Sequence, residues 1–389
     1  MTMRVVWINK SPWKKPGPIV YMGLLNAMSM AWSGVRTDFF VTQGEPSDTV
    51  RDIREFYGLA TDPLLTVHRV PEHRRQTRGV YASAMAHITA LCSVGENVVV
   101  LTRELGCLPA LFRIRRRFPG LRILHEAHDY FLALGPRQEP GWSAWRRRWA
   151  ERMLLPKCDG LVLLTDYQRA LYQQWFPQLR MRALPLGTLS FTPADWEARR
   201  RRRCVAYVGH LHESKGSSLI VELADRLHCN AVSLTCYGGS PAQVETFNAR
   251  AASAGLERTM RFVPFLSPCK LHETLSGTAS IGLVPLSDTF YNRYLTCPVK
   301  ALDSLAHGLP VVATDLPGVR ELLQGAGHYC MPDPDALARQ ITTLLDDPQA
   351  YASATERSIS RRSELQWVRR AAQILELASM CEPGSGQEA

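Results

Sequence analysis

The sequence predicts an α/β protein of two domains, each a parallel sheet covered on both faces by helices. Three observations carry this. A chain of 389 residues is longer than one hydrophobic core usually serves. Short β-branched runs alternate with amphipathic stretches along the chain, the pattern of strands joined by crossover helices. The alternation is interrupted once, by LPLGTLSFTPADWEARRRRR, a stretch of turn formers and charge.

In the first half the strand candidates are RVVWI, DFFVT, LLTVHRV, NVVVLT, RILHEA and GLVLLT. A second series, CVAYVG, AVSLTCYG, MRFVPF, ASIGLVPL and LPVVAT, begins after Arg203. The expected organisation is a first domain over 1–187, a linker over 188–203 and a second domain over 204–350. C-terminal helices over 351–380 are expected to pack back toward the first domain, and a disordered polar tail covers 381–389.

The apolar share, 46%, suits a soluble globular chain, and no apolar run approaches the roughly eighteen residues of a membrane span. The N-terminus, MTMRVVWINKSPWKK, has charges on both sides of its short apolar run, unlike a signal peptide, so the expected compartment is the cytoplasm. Ten cysteines without a CxxC pair read as reduced thiols rather than as a disulfide framework or a zinc ribbon. The net charge of +10 is concentrated at Arg146–Arg148 and Arg199–Arg203. It suits an acidic partner, but no nucleic-acid recognition motif accompanies it, so nucleic acid is not expected. In GWSAWRRRWAERMLL, Trp142, Trp145 and Trp149 recur at helical spacing between arginines. Ordinary core packing is the commoner reason for such spacing; the other reading is an interfacial helix, which would place the protein peripherally at the inner face of a membrane.

Doubly wound sheets bind ligands just beyond the carboxyl ends of their strands. Neither GxGxxG nor GxxxxGK[ST] is present, which argues against a nicotinamide enzyme and a P-loop NTPase. TCPVKALDSLAHGLPVVATD, by contrast, begins a helix just after a strand and a loop. Thr296 or Cys297 can cap it and Pro298 suits its first position. The free amides of Val299 and Lys300, the helix dipole and the lysine charge would hold phosphate, and Asp303 one turn on would accept from ribose hydroxyls. VAYVGHLHESKG places Gly209, His210 and Lys215 at a strand-to-helix junction in the same half.

With these two stretches the sequence resembles the retaining glycosyltransferases of the GT-B fold, family 4. Their second domain carries a strand ending in Gly-Arg-Leu, a loop to Lys-Gly, and later a Pro-x-Lys-x-x-Glu helix followed by Ala-x-Gly-x-Pro-Val-Val. Here these read GHLHESKG and PVKALDSLAHGLPVVATDLPGVREL. KPGPIV, HEAHDYF and CDGLVLLTDYQRAL sit where that family has an N-terminal glycine loop, an acceptor-side Glu-x-His-Asp and a strand ending in Thr or Ser. The resemblance implies two Rossmann-like domains facing a central cleft, and metal-independent transfer of a hexose with retention. The donor would be a nucleoside-diphosphate sugar and the acceptor a glycan, lipid-linked or small molecule. It assigns His128, Lys215 and Asp303 to catalysis, and Gly17, Gly209, His210, Lys215, Asn292, Val299, Lys300 and Asp303 to the donor. No cofactor and no metal are implied.

The departures are specific. His210 stands where an arginine is usual, Pro18 follows Gly17 in place of a second glycine, Asp303 replaces glutamate, and Leu295 occupies the place of a first glutamate. They keep two alternatives open, a nucleotide-sugar 2-epimerase of the same architecture and a non-catalytic scaffold. Three decoys are set aside. Asp333-Pro334-Asp335 mimics a metal-binding Asp-x-Asp, but Asp335 reads as a helix N-cap. His125 and His128 have the wrong spacing for a zinc helix, and Gly238-Gly239 reads as a turn.

Overall fold

The computed structural model describes residues 3–71, 76–132 and 142–380, with backbone alone at 76–78 and 213. The tail expected over 381–389 lies outside the described residues. The chain forms two units. The first holds 3–55, 59–185 and the helix Trp367–Met380; the second holds 56–58 and 186–366. The stretch 188–203 falls in the second unit and contains the helix Trp196–Arg201. Asp195 caps that helix by accepting from the Glu197 and Ala198 amides, and buried Arg199 donates to the Gly308 carbonyl. Of the C-terminal helices, Pro348–Glu364 belongs to the second unit and Trp367–Met380 to the first.

The first unit contains a parallel sheet of seven strands among the described residues: β1 (Met3–Pro12), β2 (Arg36–Thr42), β3 (Leu65–Val70), β4 (Asn97–Thr102), β5 (Arg122–Ala127), β6 (Gly160–Leu163) and β7 (Met181–Ala183). Their order is β3-β2-β1-β4-β5-β6-β7. The second unit contains six: β8 (Cys204–Val208), β9 (Ser233–Tyr237), β10 (Met260–Val263), β11 (Ile281–Val284), β12 (Val311–Thr314) and β13 (Gly327–Cys330), in the order β10-β9-β8-β11-β12-β13. In both sheets the order reverses once, between β1 and β4 and between β8 and β11. At such a reversal the crossover helices leave on opposite faces and open a crevice at the strand ends.

Every strand candidate of the sequence is present. The sequence pattern does not anticipate β7 and β13; each is a short edge strand, MRA or GHYC, without β-branched residues.

Core packing does not explain the tryptophan stretch. Trp142, Trp145 and Trp149 are 71%, 53% and 51% exposed on the helix Trp142–Leu154, whose one buried residue is Glu151. The Glu151 carboxylate accepts from the Phe131 amide and from the Tyr172 hydroxyl, both at 2.7 Å. The helix is thus fastened by a polar contact, and its apolar stripe is left outside.

Candidate active site

In the second unit the helix Val299–Ala306 follows β11 and the short helix Phe290–Tyr294. Its N-cap is Pro298 (φ −70°, ψ 105°) rather than Thr296 or Cys297, and no side chain caps it. The extended ψ of Pro298 delays the helix by one residue, so the run of free amide hydrogens starts at Val299. Lys300 and Asp303 are both buried on this helix. Lys300 Nζ lies over the Tyr207 ring, 4.7 Å from its centroid. The Asp303 carboxyl makes no hydrogen bond or ion pair among the described residues.

Burial pushes both groups toward neutrality. The Lys300 ammonium is lowered to about 7 by desolvation and by the charge of Lys215, against the pull of Asp303. Asp303 is raised to about 7 by desolvation, against the pull of Lys300. The site therefore combines a desolvated cation and a desolvated carboxyl group that feel each other's charge, neither of them in an ion pair among the described residues.

The loop after β8 brings the remaining groups to this point. Tyr207, fully buried, donates its hydroxyl to the His210 carbonyl at 2.7 Å. Asn292 donates through Nδ2 to the Ser214 and Ser287 carbonyls at 2.7 and 2.9 Å, while its Oδ1 is buried without a hydrogen-bond partner among the described residues. Asn292, assigned to the donor in the sequence, thus braces the loop that carries Lys215. Lys215 Nζ lies 5.2 Å from the Tyr291 ring centroid. Gly209 (φ 142°) lies beside Lys300, and a Cβ there would stand 3.4 Å from the lysine Cε, an ordinary contact distance. His210 is exposed, edge-on to Phe265.

Two glycines permit this packing. Gly216 (φ 86°) precedes the helix Ser217–His228, and a Cβ on it would lie 1.8 Å from the Pro285 carbonyl oxygen. A Cβ on Gly238 (φ 153°) would lie 1.9 Å from the Gly209 carbonyl oxygen. Gly238 is therefore more than a turn residue, because it lets β9 end against the loop of the site. β8 and β11 are adjacent strands, so Gly209, Lys215, Val299, Lys300 and Asp303 gather where the sheet order reverses.

The first unit carries His128 and Gly17. Gly17 (φ 91°) is the N-cap of the helix Pro18–Trp32. His128 follows β5, and its Nε2 lies 2.5 Å from Glu126 Oε1. Glu126 Oε2 accepts from Arg370 Nη2 at 2.7 Å, and Arg370 Nη1 also donates to Asn26 Oδ1. Burial raises the Glu126 proton affinity, but the charge of Arg370 and the hydrogen bond from His128 outweigh it, so Glu126 is held ionised. An ionised Glu126 accepts the proton on His128 Nε2 and leaves Nδ1 as the lone-pair atom of a neutral ring. Desolvation and the Arg103 charge keep that ring neutral by lowering its pKa. The backbone on either side is fixed by Gln168 Nε2, which donates to the Ala127 and Asp129 carbonyls, each at 3.1 Å.

Residues 202–347 match the family described as "Glycosyl transferases group 1". The chain is 24% identical to D-inositol 3-phosphate glycosyltransferase of Corynebacterium glutamicum (strain R), over 97% of this chain and 96% of that protein. Among solved structures it resembles sucrose-phosphate synthase from Thermosynechococcus elongatus, with a TM-score of 0.72, 20% identity and 97% and 98% of the two chains covered. It also resembles Anabaena HepE in complex with UDP-glucose, with a TM-score of 0.68, 15% identity and 97% and 99% covered. The chain has the GT-B fold, and its second unit carries the match to the glycosyl transferases group 1 family.

Several features of this chain escape sequence reasoning. Tyr207 gives no signal beyond a strand pattern, and Arg370 lies 244 positions from Glu126. Glu126 belongs to the HEAHDYF motif, which gives it no separate role. Asp333, not Asp335, caps the helix Pro334–Asp346 by accepting from the Ala336 amide at 2.7 Å, whereas Asp335 pairs with Arg226. His125 lies within β5 rather than on a helix. Among the described residues one group of potential metal ligands stands out, Asp38, His68 and His87. Arg4 already binds both Asp38 oxygens, at 2.7 and 3.3 Å, and the two histidines complete that network. The nine described cysteines are free thiols.

Proposed function

We propose that this chain is a glycosyltransferase that moves a hexosyl group from a nucleoside-diphosphate sugar to an acceptor hydroxyl, with retention and without a metal ion. The observation that carries the proposal is the buried pair Lys300 and Asp303 at the open start of one helix, beside Lys215 and Gly209. As the glycosidic bond breaks, the diphosphate gains negative charge, and the groups that meet it must bind it most strongly at that moment. Lys215, Lys300 and the amides from Val299 onward supply this positive potential. Asp303 receives the ribose hydroxyls. The UDP and UDP-glucose held by HepE support a nucleotide-sugar donor.

The role proposed for His128 is to act on the sugar through its Nδ1 lone pair while Glu126 holds its Nε2 proton. Retention follows from a front-face path in which the departing phosphate accepts the proton of the incoming hydroxyl. The acceptor is a glycan, a lipid-linked sugar or a small molecule.

A panel of nucleotide sugars read by thermal shift identifies the donor, since a ligand at one hundred times its dissociation constant raises stability by about 2.7 kcal/mol. Incubating that donor with candidate acceptors and reading the product's anomeric configuration by NMR tests transfer and stereochemistry together. Conversion of the donor to its C2 epimer without acceptor would replace this reading with the epimerase.

A further inference from the structure

The helix Trp142–Leu154 turns the usual amphipathic arrangement outward. Trp142, Trp145, Trp149 and Met153 recur every three or four residues along one stripe, and all four are exposed. The rings of Trp142 and Trp145 stack on each other, with centroids 4.8 Å apart, rather than on the body of the protein. The helix carries four arginines, Arg146, Arg147, Arg148 and Arg152, and its single acidic residue, Glu151, is the one turned inward. Its exposed charge is therefore wholly positive. Indole rings favour the headgroup region of a bilayer, where the ring meets acyl chains and the N–H meets water, and arginines beside them reach lipid phosphates.

We infer that the Trp142–Leu154 helix is a docking surface for an anionic lipid bilayer. The helix lies in the plane of the interface with its tryptophans inserted, and its arginines select acidic headgroups. No described helix is long and apolar enough to cross a membrane, so this contact is peripheral. Charge complementarity favours lipid over a second copy of the chain, because two such helices face to face would oppose eight guanidinium groups, twice the four on each.

The anchoring of the helix gives this contact a consequence. Glu151 fixes the helix to the Phe131 amide and to Tyr172, whose single hydroxyl hydrogen is shared between Glu151 and the Asp129 carbonyl, 3.0 Å away. Arg147 lies over the Phe131 ring and Arg152 over Trp175, whose indole donates to the Tyr130 hydroxyl. The docking helix and the loop that follows His128 are thus one hydrogen-bonded assembly. On the proposed transferase reading, this arrangement suits an acceptor that is itself anchored in the bilayer.

Sedimentation of the full chain with vesicles tests the docking without reference to transfer. With equal parts phosphatidylglycerol and phosphatidylcholine at low salt the protein should pellet, and with phosphatidylcholine alone it should stay in solution. Replacing Trp142, Trp145 and Trp149 together by serine should lower the partition coefficient by about tenfold or more. Arg146→Gln with Arg148→Gln should reduce the preference for acidic vesicles and its salt sensitivity while leaving the tryptophans in place. Equal recovery with both vesicle types would overturn the inference. So would unchanged pelleting of the tryptophan variant, or a dimer that the tryptophan changes abolish in a protein that binds no vesicles.

Discussion

Glu126 stands between His128 and Arg370, receiving the imidazole at 2.5 Å on one oxygen and the guanidinium at 2.7 Å on the other. Its charge sets the ring's tautomer and opposes the desolvation that lowers the His128 pKa. Glu126→Gln should therefore cut kcat by roughly tenfold to a hundredfold. It should also move the acid limb of the pH profile to lower pH, because the group that raised the imidazole's proton affinity is gone. Stability should fall as well, by about 3 kcal/mol, since Arg370 loses its carboxylate. Nucleotide affinity, which the proposed donor site assigns to the second unit, should stay the same. An acid limb that does not move would remove Glu126 from the reaction and leave it as structural support.

Burial pushes the Lys300 ammonium down and the Asp303 carboxyl up, each to about 7, and a bound donor should act on them in opposite senses. A diphosphate stabilises the Lys300 ammonium and raises its pKa, so binding at about pH 8 should take up a proton. Ribose hydroxyls stabilise the Asp303 carboxylate and lower its pKa, so binding at about pH 6 should release one. Calorimetry of a nucleotide sugar in buffers of different ionisation enthalpy measures both signs. Lys300→Met should abolish the uptake at the higher pH and leave the release. A pH-independent binding enthalpy in every buffer would show that neither group meets the ligand.

Asp303→Asn should weaken nucleoside-diphosphate binding by roughly 1.5 to 3 kcal/mol, since the charged acceptor is lost and the amide can present its N–H₂ instead. Asp303→Glu should be much milder, because it keeps the charge and reproduces the residue usual in the resembled family. A deoxyribose analogue should bind wild type and Asp303→Asn alike. Equal binding of the ribose form by these two proteins would restrict the helix start to the phosphates.

Gly238→Ala should destabilise the protein by about 2 kcal/mol or more, as the new methyl group meets the Gly209 carbonyl and the backbone leaves its left-handed region. Gly255 (φ 71°) provides the comparison, because it shares the positive φ but a Cβ on it would have no neighbour within 4 Å. Gly255→Ala should cost only about 1 kcal/mol in urea unfolding. Similar losses at both positions would show that the close approach at Gly238 has no energetic weight.

Sequence and structure agree where the signal is local. β-branched runs such as NVVVLT and ASIGLVPL become the central strands of the two sheets, and the Lys-Gly and Pro-x-Lys stretches become strand-to-helix junctions at one sheet reversal. The disagreements arise where contacts are long-range. MRA and GHYC become strands only because a neighbouring edge offers hydrogen bonds. The tryptophans read as core by spacing, yet a single buried carboxylate, Glu151, decides which way their helix faces. Asn292 has a side chain suited to binding sugar, but two backbone carbonyls claim its amide. The partnership of Glu126 with Arg370 requires the last helix to return to the first unit, which no local pattern encodes.

Calorimetric titration of a nucleoside diphosphate into wild type and Lys215→Ala tests whether Lys215 and Lys300 form, with the start of the Val299–Ala306 helix, a diphosphate site. Removing a charged hydrogen bond to phosphate should cost roughly 1.5 to 3 kcal/mol, about tenfold to a hundredfold in affinity, with the thermal unfolding midpoint of the free protein unchanged. Wild type and Lys215→Ala binding with the same affinity, or a wild type that binds no nucleoside diphosphate, would contradict it.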